Sequence, residues 1–155
     1  MIGHSEGGLI APMVAMKSPD IAFIVLMAGP CVTGEAILYE QEAVISRTMG
    51  ITEEQINQQL EFQRLVLSII KNETDFEKAE KLLLEIIANH LVNLPKEEQQ
   101  ASAEAMEAQI KRCNSRWLRY YLTYDPKTSL KHLKIPVLVI NGELDLEPVQ
   151  NLFNK

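Results

Sequence analysis

The chain has 155 residues, of which 46% are hydrophobic and 23% charged, and its formal net charge at pH 7 is −6. This composition is typical of one globular domain that can bury a core. The negative charge argues against nucleic acid or an anionic membrane as a partner. Cys31 and Cys113 lack the spacing of a zinc site or of a disulfide framework. We see neither a signal peptide nor an apolar run that could span a bilayer, and this predicts a cytoplasmic protein.

Residues 1–30 carry the pattern of a turn, a short helix and a buried strand. Apolar residues follow the turn at helical spacing until Ser18-Pro19-Asp20 stops the helix. The run IAFIVLMAG, from Ile21 to Gly29, is then continuously apolar and rich in β-branched residues. Such a run is typical of a central parallel strand covered on both faces, and it predicts an α/β fold.

The segment from residue 33 to 123 has no strand-like alternation and predicts a helical insertion. Thr52 and Gln55 form a capping box, and Asp75 is placed to cap the following helix. Gly50 is expected to end the first helix. The predicted helices cover residues 35–49, 52–71, 75–95 and 96–113 and the aromatic sequence RWLRYYLTY.

After this insertion the sequence returns to an α/β pattern. Lys134-Ile135-Pro136 leads into VLVIN, which predicts a second short buried strand, and the turn Gly142-Glu143-Leu144-Asp145 follows. The predicted organisation is a core segment at residues 1–32, a helical cap insertion at 33–123 and a second core segment at 124–155.

The spacing Gly3-x-Ser5-x-Gly7 fits a nucleophile elbow, in which a serine occupies a strained turn between a strand and a helix. Glycines are expected because a Cβ in this crowded turn would clash with the neighbouring strand or helix. The backbone N–H of Glu6 would then be one donor of an oxyanion hole. The alternative is a glycine-rich loop that merely contains a serine. The predicted elbow residues are Gly3, His4, Ser5, Glu6, Gly7 and Gly8.

Asp145 is the candidate acid of a catalytic triad. It comes just past the later predicted strand, in a Gly-x-x-Asp turn. A triad acid belongs at this place when the chain order is serine, acid, histidine.

Four segments, GHSEGG, AFIVLMAGP, SRWLRYYLTYDP and IPVLVINGELD, occur in this order. Together they resemble the serine hydrolases of the α/β-hydrolase fold, and most of all the bacterial esterases and serine aminopeptidase-like members that carry a helical cap. The resemblance implies a partial α/β-hydrolase fold, with parallel strands, flanking helices and a cap. It also implies that Ser5 is the nucleophile, that the Glu6 N–H lines the oxyanion hole and that Asp145 orients the catalytic histidine. No metal or cofactor is implied.

The sequence also departs from this family. The family has several strands before the elbow and a catalytic histidine after the acid, and neither feature has a counterpart here. We therefore expect a hydrolase shortened at both ends and incomplete as given. Self-association or a complementary fragment would supply the parts that are lacking.

None of the three histidines in the sequence is a good candidate for the general base. His4 precedes the nucleophile, and its side chain should point away from that of Ser5. His132 is interpreted as a solvated or capping residue. His90 lies on an apolar helix stripe and is interpreted as a buried, hydrogen-bonded core residue, with a position facing a cleft as the alternative.

The sequence thus predicts a serine hydrolase that acts on small-molecule esters or peptides through an acyl-enzyme at Ser5. The alternative function is a non-catalytic remnant of such an enzyme that serves as an interaction module. The two differ in whether Ser5 reacts.

Overall fold

The computed structural model describes residues 1–92 and 96–142. The three strands in this part are β1 Ile2–His4, β2 Ile24–Met27 and β3 Val137–Ile140. The helices are α1 Gly7–Ala15, α2 Gly34–Thr48, α3 Glu53–Asn72, α4 Phe76–Leu91, α5 Lys96–Cys113, α6 Arg116–Thr123 and α7 Lys127–Leu130.

The predicted fold class is wrong. Helices account for 64% of the structure and strands for 8%, and an α/β-hydrolase core is not shown. The apolar run from Ile21 to Gly29 suggested a long strand, but only Ile24–Met27 pair as one. The helices expected between residues 33 and 123 are present, with up to 20 residues each, and they outweigh the small sheet. The protein is mostly helical, with a small three-stranded parallel sheet among the described residues.

The small sheet has the strand order β1-β2-β3, and both pairs of neighbours are parallel. Val25 at the centre is paired with Ile2 on one side and with Leu138 on the other. The parallel central strand expected from the sequence is therefore confirmed. Because all three strands run in one direction, the residues that follow them lie along the same edge of the sheet.

The predicted burial of the strands on both faces is wrong. Ile24 and Leu26 of β2 are buried with Ala11 of α1, and Leu130 and Leu133 pack against this cluster. The side chains of β3, in contrast, are 40 to 55% exposed. A run of apolar residues indicates that burial is favourable. Whether the strand is buried depends on the elements that pack against it.

The chain divides into two compact units. The first consists of Met1–Asn57 and Tyr124–Lys155, and the second of Gln58–Thr123. No helix in the described part of the chain is long and apolar enough to cross a membrane.

Within the second unit, Arg119 connects three segments of chain. Its guanidinium group donates hydrogen bonds to the carbonyl oxygen of Glu73 and, at 2.7 Å, to Oδ1 of Asn114. The same group lies 4.3 Å from the centroid of the Phe76 ring. Asn114 in turn donates from Nδ2 to the carbonyl oxygen of Phe76 at 2.8 Å. This network joins the start of α4 to the segment between α5 and α6.

The predicted helix signals are confirmed at the level of individual hydrogen bonds. The backbone N–H of Thr52 donates to Oε1 of Gln55 at 3.2 Å, and the backbone N–H of Gln55 donates to Oγ1 of Thr52 at 3.3 Å. Oδ1 of Asp75 accepts from the backbone N–H groups of Glu77 and Lys78 at 2.9 and 3.1 Å. Helix α2 ends at Thr48, before Gly50, as predicted.

Asp75→Ala should lower the free energy of unfolding by about 1 kcal/mol, because two N–H groups at the start of α4 would lose their acceptor. Asp75→Asn keeps an acceptor oxygen at the same place. Its free energy of unfolding should therefore lie within a few tenths of a kcal/mol of that of the parent chain. Urea unfolding followed by circular dichroism measures both variants. An equal loss of unfolding free energy in the two variants would show that the charge of Asp75, and not its capping hydrogen bonds, stabilises the helix.

Candidate active site

Ser5 occupies the turn between β1 and α1, as the elbow pattern predicts. Its φ is +50°, in the left-handed region that residues with a side chain rarely adopt. Two backbone hydrogen bonds hold the turn: the N–H of Ser5 donates to the carbonyl oxygen of Met27 at 3.0 Å, and the N–H of Gly8 donates to the carbonyl oxygen of Ser5 at 2.7 Å. The serine is half-buried. A strand, a strained serine and a helix therefore follow one another within a few residues.

Close backbone approaches explain two of the glycines. A Cβ on Gly3 would lie 2.1 Å from the carbonyl oxygen of Gly7, and a Cβ on Gly8 would lie 2.4 Å from Cα of Gly29. The expectation for Gly7 is wrong, because a Cβ at that residue would meet no atom within 4 Å. The difference arises because Gly3 and Gly8 face neighbouring backbone, whereas Gly7 begins the helix on an open side.

Glu6 stands at the N-terminus of α1 and is exposed. Its carbonyl oxygen accepts hydrogen bonds from the N–H groups of Leu9 and Ile10 at 2.9 and 3.2 Å. The first N–H groups of a helix have no acceptor within the helix, and the helix dipole makes this end favourable for negative charge. The position of the Glu6 amide next to Ser5 therefore suits an oxyanion donor.

A second strained residue lies at the same edge of the sheet. Ala28, directly after β2, has a φ of +47°, and its N–H donates to the carbonyl oxygen of Ile140 at 2.8 Å. Ser5 and Ala28 are the two non-glycine residues with positive φ in the described part of the chain. Backbone strain of this kind clusters at functional sites. The sequence reasoning missed Ala28, although the Gly29-Pro30 pair after it indicates a turn.

Asn141, directly after β3, belongs to the same edge. Its Oδ1 is buried and has no hydrogen-bond partner among the described residues. The predicted acid Asp145 comes four positions later in the sequence and lies outside the described residues. Its role stays a prediction. The edge nevertheless contains the ends of all three strands, the arrangement that the elbow hypothesis requires.

The structure separates His132 from Ser5. Nδ1 of His132 lies 2.7 Å from the carbonyl oxygen of Thr128, and the side chain is exposed. His132 also lines a cleft with Ile21 and Ile135, which precede β2 and β3. That cleft lies at the edge where the strands begin, opposite to Ser5. The interpretation as a solvated or capping residue is confirmed.

The other two histidines are exposed as well. His4 is the last residue of β1, and its neighbour Gly3 lies on the other, buried face of the strand. The interpretation of His90 as a buried core residue is wrong. His90 occupies the last turn of α4 and stacks on the ring of Phe62, with 4.2 Å between the ring centroids. The buried stripe of α4 passes through Ile87 and Leu91, and His90 lies beside this stripe on the solvent side.

The two cysteines are free and half-buried. Burial raises the pKa of the Cys31 thiol and of the Cys113 thiol. Both thiols are therefore protonated near neutral pH, and a protonated thiol is a weak nucleophile. Among the side chains discussed here, Ser5 is the better candidate for covalent chemistry.

Comparison of the chain with protein-family models, with curated proteins and with solved structures finds no match. The described residues also contain no cluster of three or more side chains that could hold a metal ion. The assignment of a function therefore depends on the geometry of the turn at Ser5.

Gly8→Ala should lower the free energy of unfolding by about 1–3 kcal/mol, because its Cβ would be forced against the backbone of Gly29. Gly7→Ala is the matched control. It should leave the stability unchanged or raise it by up to about 1 kcal/mol, because the site is open and alanine favours a helix. Urea unfolding measures the free energy of unfolding of both variants. Equal values for the two would contradict the close contact between α1 and the end of β2.

Proposed function

We propose that the protein is a serine hydrolase that cleaves small-molecule esters or peptides through an acyl-enzyme at Ser5. The observation that carries the proposal is the backbone of Ser5, which has a φ of +50° in a turn between a parallel strand and a helix. This is the geometry in which a serine Oγ is presented above the carboxyl edge of a sheet. The close approaches at Gly3 and Gly8 hold the turn in this shape.

The proposed reaction has two steps. The Oγ of Ser5 attacks the carbonyl carbon, its proton passes to a general base, and the alcohol or amine leaves with a proton, so that an acyl-serine ester remains. Water then attacks this ester and releases the carboxylic acid and the free serine. The Glu6 N–H would stabilise the negative oxygen formed in both steps. Asp145 would orient the imidazole of the base and stabilise its charged form.

A second candidate function is that of a non-catalytic interaction module. The exposed β3 strand favours it, because four consecutive apolar residues that are 40 to 55% exposed form an unusual surface for a parallel strand. The two functions differ in one observable, the reactivity of Ser5.

We also propose a cytoplasmic location. The free thiols of Cys31 and Cys113 support it, because cysteines in oxidising compartments are commonly paired in disulfides.

The first test is the labelling of Ser5 by a fluorophosphonate probe, which reacts with activated serines. In the presence of imidazole as an external base, the chain should form a 1:1 adduct on the peptide that contains Ser5, and Ser5→Ala should form none, because the attacking oxygen is removed. Ser18→Ala is the matched control. Ser18 belongs to the same unit but lines the cleft at the opposite edge of the sheet, so its replacement should leave the labelling unchanged.

The labelling should be measured by mass spectrometry both with and without added imidazole, which can act as an external base. Circular dichroism verifies that each variant is folded. Absence of the adduct under both conditions in a folded chain would reject the hydrolase and favour the interaction module. An adduct that persists in Ser5→Ala would place the nucleophile at another residue.

The second test concerns the acid. In the chain joined to a complementary fragment that supplies the histidine, Asp145→Asn should lower the hydrolysis of an aryl ester by up to about 10⁴-fold, because the imidazole would lose the anion that orients it. Glu143→Gln, two positions earlier in the sequence, is the matched control and should retain the activity. Initial rates at several substrate concentrations separate kcat from KM. Equal rates for Asp145→Asn and the parent chain would mean that the acid is a different residue.

A further inference from the structure

The second unit contains an apolar cavity of about 130 Å³ between α3, α4 and α5. Its apolar walls are formed by Phe62, Val66 and Ile70 from α3, Ile87 from α4, and Met106 and Ile110 from α5. The floor is well packed, because Ile70, Ile87 and Ile110 are at most 6% exposed. Protein interiors contain few voids larger than a water molecule. This cavity differs from such a void in that it is partly open to solvent, and it reaches down to the buried residues of its floor.

The volume of the cavity limits the size of a ligand. A dry cavity of about 150 Å³ with leucine, isoleucine and phenylalanine walls is large enough to bind benzene or xenon. The cavity of the helical unit is similar in volume and in lining but is partly open to solvent. It can hold one aromatic ring or a short branched hydrocarbon.

The chemistry of the walls limits the polarity of the ligand. The two other lining residues are Gln109, which is exposed, and Cys113, which is half-buried. Burial raises the pKa of the Cys113 thiol, so this group is neutral at physiological pH. A charged ligand would lose its hydration in the cavity without gaining an oppositely charged partner from the lining residues. The walls therefore favour a neutral, apolar molecule.

Two side chains suit an aromatic ligand in particular. Phe62 is held in place by the stack with His90, at 4.2 Å between ring centroids, and can offer a ring edge or face to a second ring. Met106 has a flexible, polarisable side chain that adapts to a ring and makes favourable contacts between sulfur and aromatic groups. Because Gln109 is exposed and Met106 is half-buried, a ligand can enter along α5.

We propose that the helical unit Gln58–Thr123 binds a single small apolar molecule, of the size of one aromatic ring, in the cavity between α3, α4 and α5. This site is separate from the chemistry proposed for Ser5 and does not depend on it. The binding free energy comes from transfer of the apolar ring out of water. Water in the cavity would be poorly held, because the walls offer it few hydrogen-bond partners.

The test uses the full chain with benzene as the probe. N-ethylmaleimide is added at pH 8.5, and mass spectrometry follows the modification of Cys113 and of Cys31 separately. At a benzene concentration of ten times its Kd, the cavity is empty in about one eleventh of the molecules, so the modification of Cys113 should become about tenfold slower. Cys31 lies in the other unit and provides an internal control whose rate should not change. The Tm of the chain should rise with benzene concentration.

Two variants distinguish the cavity from the helix surface. Val66→Phe places a ring inside the cavity and should abolish both the protection of Cys113 and the rise in Tm. Leu65→Phe adds a ring at the neighbouring position of α3, which is 55% exposed, and should retain both effects. If Val66→Phe does not fold, Val66→Leu removes less of the cavity and should weaken benzene binding without abolishing it.

Benzoate, which has the same ring and a carboxylate, should protect Cys113 far less than benzene does. Equal protection by benzoate would overturn the assignment to an apolar ligand. Equal slowing of Cys31 and Cys113, or unchanged Cys113 modification and Tm in a solution saturated with benzene, would overturn the site itself. The variant Ser5→Ala should bind benzene as the parent chain does, so failure of the hydrolase proposal and failure of this one are distinguishable.

Discussion

The close contact between the backbones of Gly8 and Gly29 is the constraint on which the candidate site depends. A Cβ on Gly8 would come within 2.4 Å of Cα of Gly29, so helix α1 begins against the end of β2. This contact, with the hydrogen bond from the Ser5 N–H to the carbonyl oxygen of Met27, leaves Ser5 little conformational choice. The left-handed backbone of Ser5 is the result. The strain is local, and the helix and the strand on either side of the turn maintain it.

The helical unit is held together by interactions of a different kind. Its core consists of aliphatic side chains from α3, α4 and α5, and Arg119 joins the connections between helices by hydrogen bonds to Glu73 and Asn114. Arginine suits this position because its planar group can donate several hydrogen bonds and also lie over the ring of Phe76. The core is not filled completely, and the cavity beside Phe62 is the consequence. Such a cavity costs stability when it is empty, and a ligand of matching size offsets that cost.

The exposed strand β3 affects both candidate functions. Among the described residues β3 is an outer strand of the sheet, and its apolar side chains and outer edge can pair with another chain, which is a recognised route to association. Asn141 follows the carboxyl end of the same strand. An element that covered β3 would therefore also stand close to the edge that contains Ser5. Ser5 and the carboxyl end of β3 thus lie at the same edge of the sheet.

The sequence by itself determined the features that depend on neighbouring residues. The capping box at Thr52, the cap at Asp75 and the turn at Ser5 were predicted correctly, because each involves groups within a few positions of one another along the chain. The parallel direction of β2 was also predictable, since the apolar run and the helices around it favour that arrangement.

Only the tertiary structure decided the features that depend on distant residues. The fold class, the exposure of β3 and of His90 and the open site at Gly7 were predicted wrongly, and the strained backbone of Ala28 was missed, although the helices themselves were predicted. The burial of a residue depends on the elements that pack against it. The local sequence indicates only whether burial of that residue is favourable. The cavity near Cys113 has the same origin, because its walls combine residues from three helices whose packing no local spacing determines.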